Sequence, residues 1–192
     1  MRMLAISGSL RAASHNTAML RAAAQLAPDG VDVELYDGLE QLPPYNEDHD
    51  TDEPAAEIVR LREQIRDADA VLWSTPEYNG TLPGQLKHAV DWASRPYGKA
   101  ASLWGKPVAV IGASVSDYGA MWAQDHLRKA LGIAGARVLE EELPIGKVQE
   151  RLGPNGELND PETSERIGEI GSKLAQHAEE HTEQRHELAE AA

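Results

Sequence analysis

The sequence predicts an α/β fold, a three-layer sandwich built on a five-stranded parallel sheet. Three observations carry this reading. Apolar runs of strand length alternate with helical stretches along the 192 residues, the pattern of repeated βαβ units with right-handed crossovers. Two of the runs, Ala68–Ser74 and Pro107–Gly112, are apolar almost without interruption, as strands covered on both faces must be. And the runs at the start and middle of the chain each end in a small, polar loop that opens a helix, which is how open α/β sheets present ligand sites at strand carboxyl ends.

Arg2–Ser7 is the first strand. Asn16–Ala27 is rich in Ala and Leu and reads as a helix stopped by Pro28-Asp29-Gly30. Val31–Tyr36 alternates with period two, so one face of this second strand is wetter and the strand sits near an edge. A loop containing Leu42-Pro43-Pro44-Tyr45-Asn46 follows. Pro54 suits a helix first turn, and Ala55–Arg66 has helical periodicity. Ala68–Ser74 is the third strand, Pro83–Ser94 a helix, Pro107–Gly112 the fourth strand and Met121–Leu131 a helix. Ala136–Leu143 reads as a fifth strand, and Pro161 to about Ala178 as the last helix. The expected strand order is 2-1-3-4-5, although periodicity alone admits other domains of this topology.

One domain is expected over residues 1–178, followed by an acidic, polar segment over 179–192 that extends the helix or frays. His177 and His181 are four apart there, but no catalytic pattern flanks them, and they read as ordinary helix residues rather than metal ligands. The chain has no cysteine, which excludes disulfides and thiol catalysis. No apolar run reaches the length of a membrane span. The N-terminus carries no signal-peptide pattern, so a cytoplasmic location without membrane insertion is expected. A net charge of −14 argues against nucleic acid as a partner.

That charge is unevenly spread. Residues 1–28 contain Arg2, Arg11 and Arg21 and no acid, and the stretch Trp92–Ser116 is also acid-free. A protein this acidic repels anions at long range, so a local clearing of carboxylates is what an anion site requires. A buried strand and helix would clear them too. Within the clearing, Ser7-Gly8-Ser9-Leu10-Arg11-Ala12-Ala13-Ser14-His15-Asn16-Thr17 joins a strand to a helix. Gly8 permits a tight turn, Ser9, Ser14 and Thr17 supply hydroxyls, Arg11 supplies a forked cation, and the helix N-terminus adds free amides. This is a phosphate cradle without Walker or Gly-x-Gly-x-x-Gly spacing. The plainer alternative is that Ser14 or Asn16 only caps the helix.

The second loop, Pro76-Glu77-Tyr78-Asn79-Gly80, suits a flat ring. Asn79-Gly80 signals a tight turn that directs N–H groups outward, and Tyr78 offers an aromatic face. Glu77 reads as a residue that orients the loop or meets another subunit. An ordinary turn with a helix capped by Thr81 is the alternative. The four tryptophans, Trp73, Trp92, Trp104 and Trp122, read as core or interface packing. A third loop, Gly112-Ala113-Ser114-Val115-Ser116-Asp117-Tyr118-Gly119-Ala120, follows the fourth strand. In the expected strand order all three loops converge.

Gly8-Ser9-Leu10-Arg11-Ala12-Ala13-Ser14-His15-Asn16 and Pro76-Glu77-Tyr78-Asn79-Gly80-Thr81-Leu82-Pro83-Gly84-Gln85-Leu86-Lys87-His88-Ala89-Val90-Asp91-Trp92 resemble the phosphate and ring motifs of the NADPH-dependent FMN reductase family. The similarity covers about residues 2–175 and implies a flavodoxin-like fold, bound FMN, and homodimers or homotetramers that complete the active site. It implies that Ser9, Arg11, Ser14, Asn16 and Thr17 hold the phosphate, that Pro76, Glu77, Tyr78, Asn79 and Gly80 hold the isoalloxazine, and that Ser114 reaches the flavin from the third loop. Two positions depart from the pattern: His88 stands where relatives often have Asn, and Ser116-Asp117-Tyr118-Gly119-Ala120 replaces a Gly-rich loop. Asp117 places a negative charge beside the ring site.

The implied activity is hydride transfer from NADPH or NADH through FMN to a quinone-like or other small oxidised acceptor, with no catalytic side chain and no metal. Two other readings stand beside it: a reductase that releases reduced FMN to an oxygenase, and a non-catalytic FMN electron carrier.

Overall fold

Residues 1–190 are described by the structure, a computed structural model, with side chains through Glu183. Six strands are present: β1 (Arg2–Ser7), β2 (Asp32–Leu35), β3 (Ala70–Thr75), β4 (Pro107–Ala113), β5 (Arg137–Val138) and β6 (Leu143–Ile145). Among the described residues five α-helices accompany them: α1 (His15–Gln25), α2 (Ala56–Asp67), α3 (Gly84–Ala93), α4 (Met121–Ile133) and α5 (Pro161–Glu190). The sheet is parallel, in the order β2-β1-β3-β4-β5, with β6 also paired to β4.

Period-two alternation in the central strands builds the two halves of the core. Leu4, Ile6, Val71, Trp73, Val108 and Val110 face α2, α3 and α4. Met3, Ala5, Leu72, Ala109 and Ile111 face α1 and α5. A strand with both faces covered has no place for polar alternation, which is why β3 and β4 are buried at every position. The edge strand β2 alternates between half-buried and exposed positions, in keeping with its sequence pattern.

The expected fifth strand is corrected. It is split into β5 and β6 around Leu139–Glu142, and both pieces pair with β4. Three consecutive acids, Glu140-Glu141-Glu142, cannot all enter a covered sheet. The carbonyls released by the break are gathered by Arg128 of α4. Its NH1 donates to Leu139 O at 2.7 Å and Glu141 O at 2.9 Å, and its NH2 to Glu140 O at 2.8 Å.

The last helix runs beyond the expected end. Among its described side chains the last buried apolar residue is Ala178, and the helix continues to Glu190. On this extension His181 meets Arg137, Nδ1 to NH1 at 2.6 Å. The start of α5 is fixed by Asp160. Its Oδ2 accepts from Thr163 N at 3.0 Å and from Arg151 NH1 at 2.7 Å, and the Thr163 hydroxyl donates to the same oxygen. The Thr163 bonds, and then Arg151, hold the Asp160 carboxyl below its ordinary range. A depressed carboxyl stabilises the fold above its unfolded pKa and loses that contribution as pH falls through the folded value. Replacing Asp160 by Ala should cost about 1 kcal/mol, the usual worth of an N-cap. In urea melts, the gap between wild type and variant should be full at pH 7 and close below about pH 4.

Candidate functional site

Asn16 ties the start of α1 to the ends of two strands, β3 and β4. It is 3% exposed and sits in the first turn of α1. Its Oδ1 accepts from Ser74 Oγ at 2.8 Å, at the end of β3, and from Ala113 N at 3.0 Å, at the end of β4. Its Nδ2 donates to Ala113 O at 3.0 Å. Both Oδ1 lone pairs and one Nδ2 hydrogen of the Asn16 side chain are therefore already committed. What Asn16 offers a ligand is its backbone N–H at the helix start.

The first loop is closed by hydroxyls. Ser14 Oγ caps α1 by accepting from Thr17 N at 3.1 Å, so the capping alternative holds for Ser14. Thr17 Oγ1 donates to Ser7 Oγ at 2.9 Å, and Ser9 N donates to the same oxygen at 3.4 Å. Ser7, which ends β1, was not singled out in the sequence; a hydroxyl terminating an apolar strand was the available signal. Arg11 is exposed and, among the described residues, has no ion pair or hydrogen bond within the chain. Partial burial, with the Arg11 guanidinium nearby, holds His15 below the usual histidine range.

The second loop packs directly on the first. Gly8 N donates to Ser74 O at 2.7 Å. A Cβ on Gly8 would lie 2.6 Å from Leu86 Cδ2 and 3.2 Å from Pro76 Cδ, so glycine is what allows this approach. Thr75 Oγ1 donates to Pro76 O at 2.7 Å and fixes the entry. Tyr78 and Thr81 exchange backbone bonds of 2.9 and 3.2 Å around Asn79 and Gly80, whose φ angles are +52° and +76°. This is a tight turn with two positive φ values, and its two central N–H groups face outward. Thr81 does not cap α3; its hydroxyl meets His126 Nδ1 at 2.9 Å. Glu77 has a defined role. Its Oε2 accepts from Ala123 N at 3.2 Å and so caps α4, whose own Ncap residue, Ala120, has no side-chain oxygen to offer.

The third loop is clamped by the segment after β6. Ser114 N donates to Ile145 O at 3.1 Å and Lys147 N to Ser116 O at 2.9 Å. Ser114 Oγ lies 2.8 Å from Ser116 Oγ. Asp117, whose charge stood out in the sequence, is offset by Lys147 Nζ at 3.1 Å.

Arg11 and Tyr78 line one cavity of about 380 Å³ with Gly8, Leu10, Pro83 and Gln85. Beside it, Ser7, Ser9 and Thr17 line a cleft of about 170 Å³ that also receives Asp37 and Glu40. Asp37 is paired with Arg60. The floor is held by one face of α3: Gln85 Nε2 donates to Leu39 O and Leu42 O at 2.7 Å each, His88 Nδ1 accepts from Tyr45 N at 3.1 Å, and Trp92 Nε1 donates to Pro43 O at 2.8 Å. The spacing of Gln85, His88 and Trp92 was the missed signal. Trp73 and Trp92 are core residues, whereas Trp104 and Trp122 are exposed.

The donor set suits a flavin mononucleotide. An unpaired guanidinium, hydroxyls and a helix N-terminus stand where an anion would lie, and outward amides and a phenol stand where a flat, acceptor-rich ring would lie.

Residues 1–150 match the family model for NADPH-dependent FMN reductases. An NAD(P)H-dependent FMN reductase of Pseudomonas aeruginosa is 44% identical over 168 residues, covering 86% of this chain and 89% of the relative. A 2-hydroxy-1,4-benzoquinone reductase of a Burkholderia species is 38% identical over 178 residues, covering 91% and 94%. The solved structure of a flavoenzyme NAD(P)H:acceptor oxidoreductase from Paracoccus denitrificans superposes with a TM-score of 0.81 at 34% identity, covering 94% and 98%.

Asn16→Ala should destabilise the protein by about 3 kcal/mol, since Ser74 and Ala113 keep buried polar groups without partners. Urea denaturation measures the loss, and amide exchange should quicken at Ala113 and in all three loops.

Proposed function

We propose, from the premise that the chain belongs to the NADPH-dependent FMN reductase family, that the loops after β1, β3 and β4 hold FMN between them. The protein is an FMN-dependent NAD(P)H oxidoreductase with a quinone-class acceptor. When bound, FMN supplies a two-electron carrier that takes hydride from the pyridine nucleotide and passes reducing equivalents to the acceptor.

The observation that carries the site assignment is the shared cavity of Arg11 and Tyr78. Arg11 and the hydroxyls of Ser9 and Ser14 bind the phosphate, joined by the backbone N–H of Asn16, while Thr17, whose N–H goes to Ser14 and whose hydroxyl goes to Ser7, closes the cradle from behind. Asn79 and Gly80 turn N–H groups toward the ring heteroatoms, and Tyr78 packs against the ring. Pro76 and Glu77 position that turn, Glu77 through α4. Ser114 closes the ring site from the third loop. These residues bind and orient; none has to move a proton or form a covalent bond.

A homodimer or homotetramer belongs to the same proposal, supported by the exposed Tyr97, Trp104 and Ile133. So does a cytoplasmic address, which suits a soluble nucleotide donor. No helix among the described residues is long and apolar enough to cross a membrane.

Arg11→Ala should weaken FMN retention by roughly 2–4 kcal/mol, the worth of two charge-assisted bonds. The check is flavin absorbance after dilution and gel filtration; an unchanged flavin ratio would remove Arg11 from the site. Anaerobic mixing of the loaded protein with NADPH or NADH should bleach the flavin within seconds. A flavin that stays oxidised would identify a carrier instead. Reduced flavin that leaves the protein would identify a free-flavin reductase.

A further inference from the structure

We propose that Tyr118 and Trp122 form the platform on which a flat, neutral acceptor of the quinone class packs, an inference that rests on the oxidoreductase reading above. Trp122 is 44% exposed and Tyr118 57% exposed, whereas Trp73 and Trp92 are fully buried. The two rings pair at 5.0 Å with their planes 47° apart. Val115 and Met121, near them in the sequence, are also exposed.

The pair stands at the edge of the candidate site. Tyr118 belongs to the third loop, which begins beyond β4 with Ser114. Trp122 lies in the first turn of α4, next to Ala123, whose N–H is held by Glu77. Glu77 in turn precedes Tyr78, itself 49% exposed. The hydrogen bond of 3.2 Å between Glu77 and α4 therefore keeps the aromatic pair beside the ring loop.

The backbone under these rings is clamped. A Cβ on Gly119 would lie 2.4 Å from Ile145 N, and φ is +59° there, so the chain passes too close for any other residue. The buried Gln124 donates from Nε2 to Gly119 O at 3.0 Å. Gly112 leaves room for that amide, since a Cβ there would lie 2.7 Å from Gln124 Nε2. Together with the Lys147 N to Ser116 O bond of 2.9 Å, these contacts hold the rings outward before any ligand arrives. A preorganised aromatic surface loses little conformational freedom on binding.

Charge selects the ligand class. Asp117, the one carboxylate in the loop, is paired with Lys147 at 3.1 Å. Asp125, exposed one turn along α4 from Trp122, has no such partner among the described residues, so the charge beside the rings is negative, which favours a neutral planar ring over an inorganic anion.

Calorimetric titration of the oxidised, FMN-loaded enzyme with 1,4-naphthoquinone, without pyridine nucleotide, reads binding apart from turnover. The Tyr118→Ala, Trp122→Ala double variant should bind about tenfold more weakly than wild type, and the Tyr118→Phe, Trp122→Phe variant within about twofold. In turnover the loss should appear in KM for naphthoquinone rather than in kcat, and selectivity for naphthoquinone over ferricyanide should fall by a similar factor. Equal naphthoquinone affinity in wild type and the double alanine variant would overturn the proposal. A loss accompanied by a lower sedimentation mass would also overturn it, by assigning the pair to a subunit contact. A loaded wild type that accepts no electrons from NADPH or NADH would overturn the oxidoreductase reading instead, while the titration still decides the platform.

Discussion

The site depends on a single buried amide. Asn16 joins α1 to the ends of β3 and β4 through three hydrogen bonds of 2.8 to 3.0 Å. Strand ends in an open parallel sheet have no intrinsic reason to hold a common register beyond their last ladder bond. A fully engaged amide at 3% exposure supplies one, and each of its bonds is stronger for being out of water. The phosphate loop, the ring loop and the third loop all leave the sheet within a residue or two of these contacts. Their mutual placement follows from the core and not from the ligand.

A second constraint is electrostatic. The chain carries a net charge of −14, yet its first acid is Asp29. Arg2 is paired with Glu34 at 2.9 Å, while Arg11 stands exposed at the loop. Of the carboxylates near the site, Asp37 is answered by Arg60 and Asp117 by Lys147, while Glu40 lines the cleft without an ion pair among the described residues. Glu77 is put to use at the positive end of α4.

Most of the architecture was legible in the sequence, because unbroken apolar runs and helical periodicity are direct consequences of burial on two faces. The Asn79-Gly80 turn was legible for the same reason: its positive φ values restrict residue choice. The fifth strand was misread because Ala136–Leu143 contains both apolar ends of a split strand, and only the Arg128 contacts show how the break is satisfied. Asn16 was read as a ligand residue because a polar residue at a helix start serves a phosphate or a neighbouring strand equally well by type. Trp122 was read as core or interface packing; its exposure removes the core alternative, which pattern alone does not separate from a ring held outward by a loop whose path is set by Gly119 and Gln124. Loop-to-loop contacts such as Glu77 with Ala123 span distant sequence positions and leave no local signature.

The most direct test is a crystal structure of the protein grown with FMN. The account predicts the phosphate within hydrogen-bond reach of Arg11, Ser9 and the first amides of α1, and the isoalloxazine against the Tyr78–Thr81 turn, with Asn16 still bonded to Ser74 and Ala113. FMN seated instead in the groove between α3 and α4, or a phosphate distant from Arg11, would contradict it.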